Sequence, residues 1–328
     1  MKNQTLSLVF FSFFLFVCSI QASETQSPWT TEKLGLHGHQ LTTAIFSPVL
    51  ETEELRPLVV VLHGCVQKIS TLQKQANLEE TALKTRSLLL LPQVPNGGVY
   101  MGCWDYYGIE QGADLKHTQA LLGVIKAVIN DRSRKIDPNR VYIAGLSSGA
   151  GQAQLLACSA PDLIAGVALA SSPALTTSAG DITQARANPE DVASFCRKLA
   201  GAKANAFETQ VATIVYASND QVVDPAYGPL VAKSWQTVYG QPTKAQMKVQ
   251  STDLSTLPGS GPEGKQEIFS DDLGVRLSLI EHRKLGHNWP AGKGGRSRDY
   301  IAGEGLNFMA YFMGFFETHN RRVKKASP

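Results

Sequence analysis

Charge is sparse in this chain and nearly balanced. Lys and Arg number 31 against 28 Asp and Glu, a formal net charge of +3 over 328 residues. So small an excess on so long a chain does not supply the basic surface that a nucleic-acid partner requires. Repeats of fixed period and long low-complexity tracts are both missing, which excludes repeat architectures. Cysteine is also scarce, at five. No Cys-x-x-Cys pair and no clustered histidine spacing occurs, so a zinc site is not indicated. His37 and His39 lie two apart in a Gly-containing turn and read as surface residues. Beyond the N-terminus no stretch is long and apolar enough to span a membrane.

What the chain does have is apolar residues, 43% against 18% charged, enough for a sizeable buried core and not the composition of a disordered chain. The N-terminus reads as a targeting segment. Lys2 gives the positive start, residues 6–17 form an apolar run rich in Phe and Leu, and Ile20-Gln21-Ala22 ends on a small residue. The pattern is that of a signal peptide, residues 1–22, cut after Ala22 and too short for a spanning helix. The alternatives are an uncleaved anchor and a lipid-modified Cys18, the latter disfavoured by the bulky Phe16 and Val17 before it. Export implies a secreted or periplasmic protein with no membrane span after cleavage.

Export also changes how the cysteines read. Cys65, Cys103, Cys158 and Cys196 remain in the mature chain, and in an oxidising compartment four cysteines suggest two disulfides, with three pairings possible. The preferred pairing joins Cys65 to Cys103 and Cys158 to Cys196. The second bond would tether the helix after a serine turn to a later inserted segment.

Continuous apolar runs of strand length recur along the chain. Residues 57–63, 87–91, 140–146, 166–170, 211–217 and 275–281 read as strands, most of them buried on both faces, and residues 40–49 as a further strand. Helical spacing covers 70–85 and 112–131, the latter with Leu121, Leu122, Ile125, Val128 and Ile129 on one face. Further helices are expected over 148–158 and 307–317. Asp137-Pro138-Asn139 reads as a turn. Strands alternating with helices imply an α/β fold with a mostly parallel sheet covered on both faces, here one domain over residues 30–328. The segment 176–207 is long for a strand connection, with a helix start at Asn188-Pro189-Glu190-Asp191, and reads as a small cap-like insertion. Residues 250–266 read as a loop, and Gly292-Lys293-Gly294-Gly295 as a flexible connection.

In such sheets the ligand site lies beyond the carboxyl ends of the strands. After the strand 140–146 comes Gly145-Leu146-Ser147-Ser148-Gly149, which fits G-x-S-x-G, a sharp strand-to-helix turn that lifts a serine hydroxyl above the sheet. A serine hydroxyl needs a base, and the base needs a carboxylate to hold its tautomer. Asp220 is the first carboxylate past the strand 211–217, with Asp224 as its rival. His287 sits in the Gly/Pro-bounded loop after the last strand; His282, its rival, directly continues that strand. Nucleophile, acid and base then follow in the order Ser147, Asp220, His287. Oxyanion donors are expected at the N–H of Ser148 and, from the loop His63-Gly64-Cys65, at the N–H of Cys65.

His63-Gly64-Cys65-Val66-Gln67, Cys103-Trp104, Gly145-Leu146-Ser147-Ser148-Gly149 and Gly286-His287-Asn288-Trp289-Pro290 together resemble the esterase/poly(3-hydroxybutyrate) depolymerase family. Residues 140–145 and 307–322 are similar to it as well, so the resemblance runs from about residue 57 to 322. It implies an α/β-hydrolase catalytic domain, Ser147, Asp220 and His287 as its triad, and a Cys65–Cys103 pair beside the site. It also implies Trp104, Trp289 and Gln67 as residues lining the substrate groove, with core packing as the alternative for the two tryptophans. Extracellular members commonly carry a separate polymer-binding domain, for which no room remains after residues 321–325. Soluble oligomers or amorphous polymer are therefore the expected substrates.

The expected chemistry is acyl transfer to Ser147 with no metal or organic cofactor. The expected partner is an ester: a polyester, its oligomers or an acylated polysaccharide. Within the enzyme class the second reading is a feruloyl or acetylxylan-type carbohydrate esterase. From another class comes a catalytically inactive binding protein on the same fold, against which the three triad residues in order count. Nothing marks the peptide pocket of a peptidase.

Overall fold

The computed structural model describes residues 29–35, 38–106, 115–240, 247–260 and 263–323. The signal segment 1–22, His37 and the start of the helix expected over 112–131 lie outside the described residues; His39 is exposed. Among the described residues ten strands form one sheet: β1 (Trp29–Leu34), β2 (Leu41–Phe46), β3 (Arg56–Leu62), β4 (Leu88–Pro92), β5 (Ile136–Leu146), β6 (Gly166–Ala170), β7 (Val211–Ala217), β8 (Lys248–Asp253), β9 (Gly264–Asp271) and β10 (Gly274–His282). Their order is β1-β2-β4-β3-β5-β6-β7-β10-β9-β8. The six central strands from β4 to β10 are mutually parallel. The antiparallel pairs β1/β2 and β8/β9 extend the two edges.

Alternation along β3 shows why the central strands carry no polar face. Leu58, Val60 and Leu62 enter one hydrophobic core, while Val59 and Val61 enter the other, and all five are fully buried. Among the described residues seven helices cover the sheet: α1 (Ile69–Gln75), α2 (Leu78–Thr85), α3 (Lys116–Asn130), α4 (Ser148–Ser159), α5 (Pro189–Ala200), α6 (Tyr227–Gly240) and α7 (Phe308–His319). Apolar residues of α3 to α6 complete the core on one face, and those of α1, α2 and α7 complete it on the other. A sheet buried on both faces by helices at the crossovers is the α/β-hydrolase arrangement that the sequence leads one to expect. None of the helices is long and apolar enough, among the described residues, to cross a membrane.

Four local departures have physical causes. The helix expected over 70–85 is two helices, because Asn77 adopts a left-handed φ of 50° and ends α1. The Asn77 amide then donates to Lys293 O at 3.1 Å, and Arg296 N–H donates to Gln75 O, so the Gly-rich stretch 292–295 is pinned to α1 and α2. β5 starts at Ile136, four residues ahead of its expected start. Asp137-Pro138-Asn139 is a bulge inside it, closed by Asn139 N–H donating to Asp137 Oδ1, and the pairing resumes between Leu58 and Val141. The loop expected over 250–266 holds the end of β8 and the start of β9. β8 is exposed along its whole length, so its polar sequence has no alternation to betray a strand. β1 and α6 have no counterpart among the sequence-based expectations.

The disulfides join Cys65 to Cys103 and Cys158 to Cys196. The second ties α4 to α5, and Asn188 caps α5 by accepting the Glu190 N–H.

Candidate active site

Ser147 stands where β5 turns into α4, with φ 55° and ψ −120°, a backbone conformation costly for a residue with a Cβ. The flanking glycines are required sterically. A Cβ on Gly145 would lie 2.3 Å from the Gly149 backbone, and one on Gly149 would lie 2.5 Å from the carbonyl oxygens of Leu62 and His63. The turn is closed by Ser147 N–H donating to Ala170 O on β6 at 3.0 Å.

Asp220 follows β7 in a tight turn. Its Oδ1 accepts the N–H groups of Val222 and Val223, at 2.8 and 3.0 Å, and its Oδ2 lies 2.8 Å from His287 Nδ1. Burial by itself would raise the carboxyl. The hydrogen bond and charge of His287 and the two backbone donors outweigh it, and the group is held below the usual carboxylate range. An ionised Asp220 fixes the proton on His287 Nδ1 and leaves Nε2 with its lone pair. His287 is held in turn by the 218–220 loop, since Gly286 N–H donates to Asn219 Oδ1 at 2.8 Å.

The rivals have other partners. Asp224 accepts N–H groups from Ala185 and Ala226, while its own N–H donates to Ile182 O, so it anchors the inserted segment. His282 ends β10 inside the fold, with Nδ1 accepting the Lys284 N–H.

The loop His63-Gly64-Cys65 runs beside the serine: a Cβ on Gly64 would lie 3.5 Å from the Ser147 Cβ. The amides flanking Cys65 are committed, Gly64 N–H to Gln67 Oε1 and Val66 N–H to Met101 O, both at 2.8 Å. His63 is fully buried, and burial pushes its pKa down to about 4, so at neutral pH the ring is uncharged. Its Nδ1–H donates to Gly64 O, and its Nε2 accepts the Val94 N–H.

Ser147, His287 and Cys65 line one cavity of about 260 Å³, whose walls include Tyr106, Ile182, Val223 and Tyr300. Ile182 is the one side chain of the inserted segment that lines it; α5 itself packs between α4 and α6. Val66, Tyr100 and Met101 edge the cavity as exposed apolar side chains.

The groove residues expected from the resemblance are placed elsewhere. Trp104 is fully buried, with Nε1–H donating to His63 O, and it backs the loop 63–65 from behind. Trp289 is fully buried against Phe308 and Phe312. Gln67 is buried, and its amide links Gly64 to Asp299 O instead of facing the cavity. Tyr300 occupies the wall that a tryptophan was expected to supply. Its ring stands edge-on to His287 at 5.8 Å. No motif in the sequence marks it, because it arrives through the irregular connection that follows Trp289.

The sequence pattern of the family described as esterase PHB depolymerase matches residues 41–236. This chain belongs to that family. A poly(3-hydroxybutyrate) depolymerase of Ralstonia pickettii is 31% identical over 315 residues, covering 92% of this chain and 62% of the relative. A poly(3-hydroxyalkanoate) depolymerase C of Paucimonas lemoignei is 30% identical over 114 residues, covering 34% and 27%. The chain thus spans less than two thirds of the length of either relative. Among solved structures, an acetyl xylan esterase from Aspergillus awamori superposes with a TM-score of 0.61 at 16% identity, over 79% of this chain and 94% of that one. At that identity the likeness speaks for the fold.

Proposed function

We propose that this chain is an exported serine ester hydrolase that cleaves poly(3-hydroxyalkanoate) or its oligomers through an acyl-enzyme. One observation carries the reading: Ser147, on a strained turn, shares a cavity with His287, whose Nδ1 is bound by Asp220 at 2.8 Å. The depolymerases named above support the choice of substrate, and the signal-like segment 1–22 together with two disulfides supports export.

In this reading His287 Nε2 takes the proton of Ser147 Oγ as the oxygen bonds to the ester carbonyl carbon. The N–H groups of Ser148 and Cys65 hold the resulting oxyanion. The C–O bond to the alcohol breaks, and His287 returns the proton to the departing oxygen. Water, deprotonated by the same imidazole, then attacks the acyl carbon and frees Ser147. Asp220 keeps the ring oriented and stabilises its charged form throughout. Every step uses side chains and amides of this chain.

The test is product release from amorphous poly(3-hydroxybutyrate) and from methyl ferulate in parallel, with Ser147→Ala as the blank. The proposal expects hydroxybutyrate products. It expects a loss of at least roughly three orders of magnitude in the variant, as removal of a triad nucleophile produces. Ferulate release alone would move the chain to a carbohydrate esterase with the same triad. Undiminished activity in Ser147→Ala would remove the serine from its role.

A further inference from the structure

A second cavity of about 650 Å³ lies beside the catalytic one, and Tyr300 lines both. Its walls differ in kind. Asn288, Arg298, Glu304 and the ion pair Lys284–Glu263 face it, whereas Leu146, Ile182, Val222 and Val223 face the smaller cavity. We propose that the second cavity receives the alcohol portion of the ester, and that Tyr300 is the wall that sets how this portion passes. The proposal rests on the serine-hydrolase reading and assigns the substrate's two halves to the two cavities.

The assignment follows from where the proton must go. The imidazole that deprotonates Ser147 later delivers that proton to the departing alcohol oxygen, so the alcohol portion lies on the His287 side of the serine. The second cavity is on that side. Leu285 and Asn288 flank His287 in the chain and line it, and Tyr300, edge-on to the imidazole at 5.8 Å, separates it from the catalytic space. The acyl portion is left with the apolar cavity of about 260 Å³, which suits a short alkyl chain. The larger polar space suits an oxygen-rich alcohol portion, such as a hydroxyacid oligomer with its ester carbonyls and terminal carboxylate.

The backbone around Tyr300 is built to hold that wall in place. Asp299 and Tyr300 are successive non-glycine residues in the left-handed region, with φ 51° and 63°. Such strain persists only where the surroundings enforce it. Gln67 Nε2 donates to Asp299 O at 2.6 Å, Gln75 Nε2 donates to Asp299 Oδ2 at 3.1 Å, and Trp289 N–H donates to Tyr300 O at 2.8 Å. Gln67 also accepts the Gly64 N–H, so one amide side chain sets the spacing between the oxyanion loop and the Tyr300 turn.

The experiment measures kcat/KM on butyrates of rising alcohol portion: methyl butyrate, glyceryl monobutyrate, and the butyryl ester of a 3-hydroxybutyrate dimer. Glu304 is exposed and makes no hydrogen bond or ion pair among the described residues, so Glu304→Trp narrows the cavity without breaking one. The wild-type protein is expected to gain along the series. Glu304→Trp should lose roughly tenfold on the dimer ester, chiefly in KM, and less on methyl butyrate, so that the gain along the series disappears. Tyr300→Phe should keep the wild-type ratio between the two substrates, and Tyr300→Ala should change it. A wild-type enzyme that gains nothing along the series, or a Glu304→Trp variant that keeps the gain, overturns the proposal. Silence on methyl butyrate itself would instead sink the ester-hydrolase reading.

Discussion

Replacing His63 by glutamine tests how the loop 63–65 is held, and the structure sets the size of the effect. His63 is fully buried, and burial lowers its pKa from the ordinary 6.5 to about 4, the Gly64 carbonyl opposing only in part. Between those two values the unfolded chain binds a proton at this position and the folded chain does not. Stability therefore rises with pH across that window and is lost as pH falls from 6.5 toward 4. Taking those two pKa values, the His63 share of the loss between pH 7 and pH 4.5 is about 2 kcal/mol. Glutamine at 63 has no titrating group but keeps an acceptor for the Val94 N–H. Urea unfolding of the two proteins at pH 7 and 4.5 should thus show the variant less stable at neutral pH but losing about 2 kcal/mol less on acidification. His282, also pushed down by burial, and Asp220, which must be protonated in acid, contribute equally to both proteins and cancel. Equal acid losses in the two proteins would show that His63 is not the buried neutral ring described above.

Three further outcomes follow from the same geometry. Asp220→Asn should fold normally yet lose roughly four orders of magnitude in kcat, because an amide N–H facing Nδ1 forces the proton of His287 onto Nε2; single-turnover kinetics on a soluble butyrate ester reads this directly. Gly145→Ala should cost about 1–3 kcal/mol and abolish activity, since its Cβ would overlap the Gly149 backbone, and thermal unfolding beside esterase assays checks both. The double variant Cys158→Ser/Cys196→Ser removes a link across 38 residues of sequence, worth about 4 kcal/mol by the chain-entropy model. It should lower the unfolding midpoint while leaving kcat/KM on small esters near wild type, because the bond joins α4 to α5 and neither cysteine lines the catalytic cavity.

The parts legible in the sequence are those that a local rule determines. Strands buried on both faces, such as 57–63 and 211–217, show themselves as unbroken apolar runs. The serine turn shows itself because only glycine tolerates the backbone crowding at 145 and 149. Asp220 is the first carboxylate past its strand and His287 the imidazole in the Gly/Pro-bounded loop after the last one, and the structure brings the two within 2.8 Å. What stayed hidden depends on contacts between distant segments. Tyr300 reaches His287 only because Gln67 and Trp289, far away or across a turn, hold a left-handed backbone there. Trp104 and Trp289 sit beside the catalytic motifs in sequence, yet their size favours the core, and the sequence does not say on which side of a loop a ring will fall. β8 was invisible because a strand exposed on both faces carries no apolar alternation.

The Cys65–Cys103 bond crosses the loop that carries the proposed oxyanion donor, and Val66 N–H and Met101 O are paired right next to it. In the proposed mechanism, the donor loop is thus fixed by oxidation as well as by folding. Inside a reducing cytoplasm the same polypeptide would have its serine, acid and base but a slack donor loop.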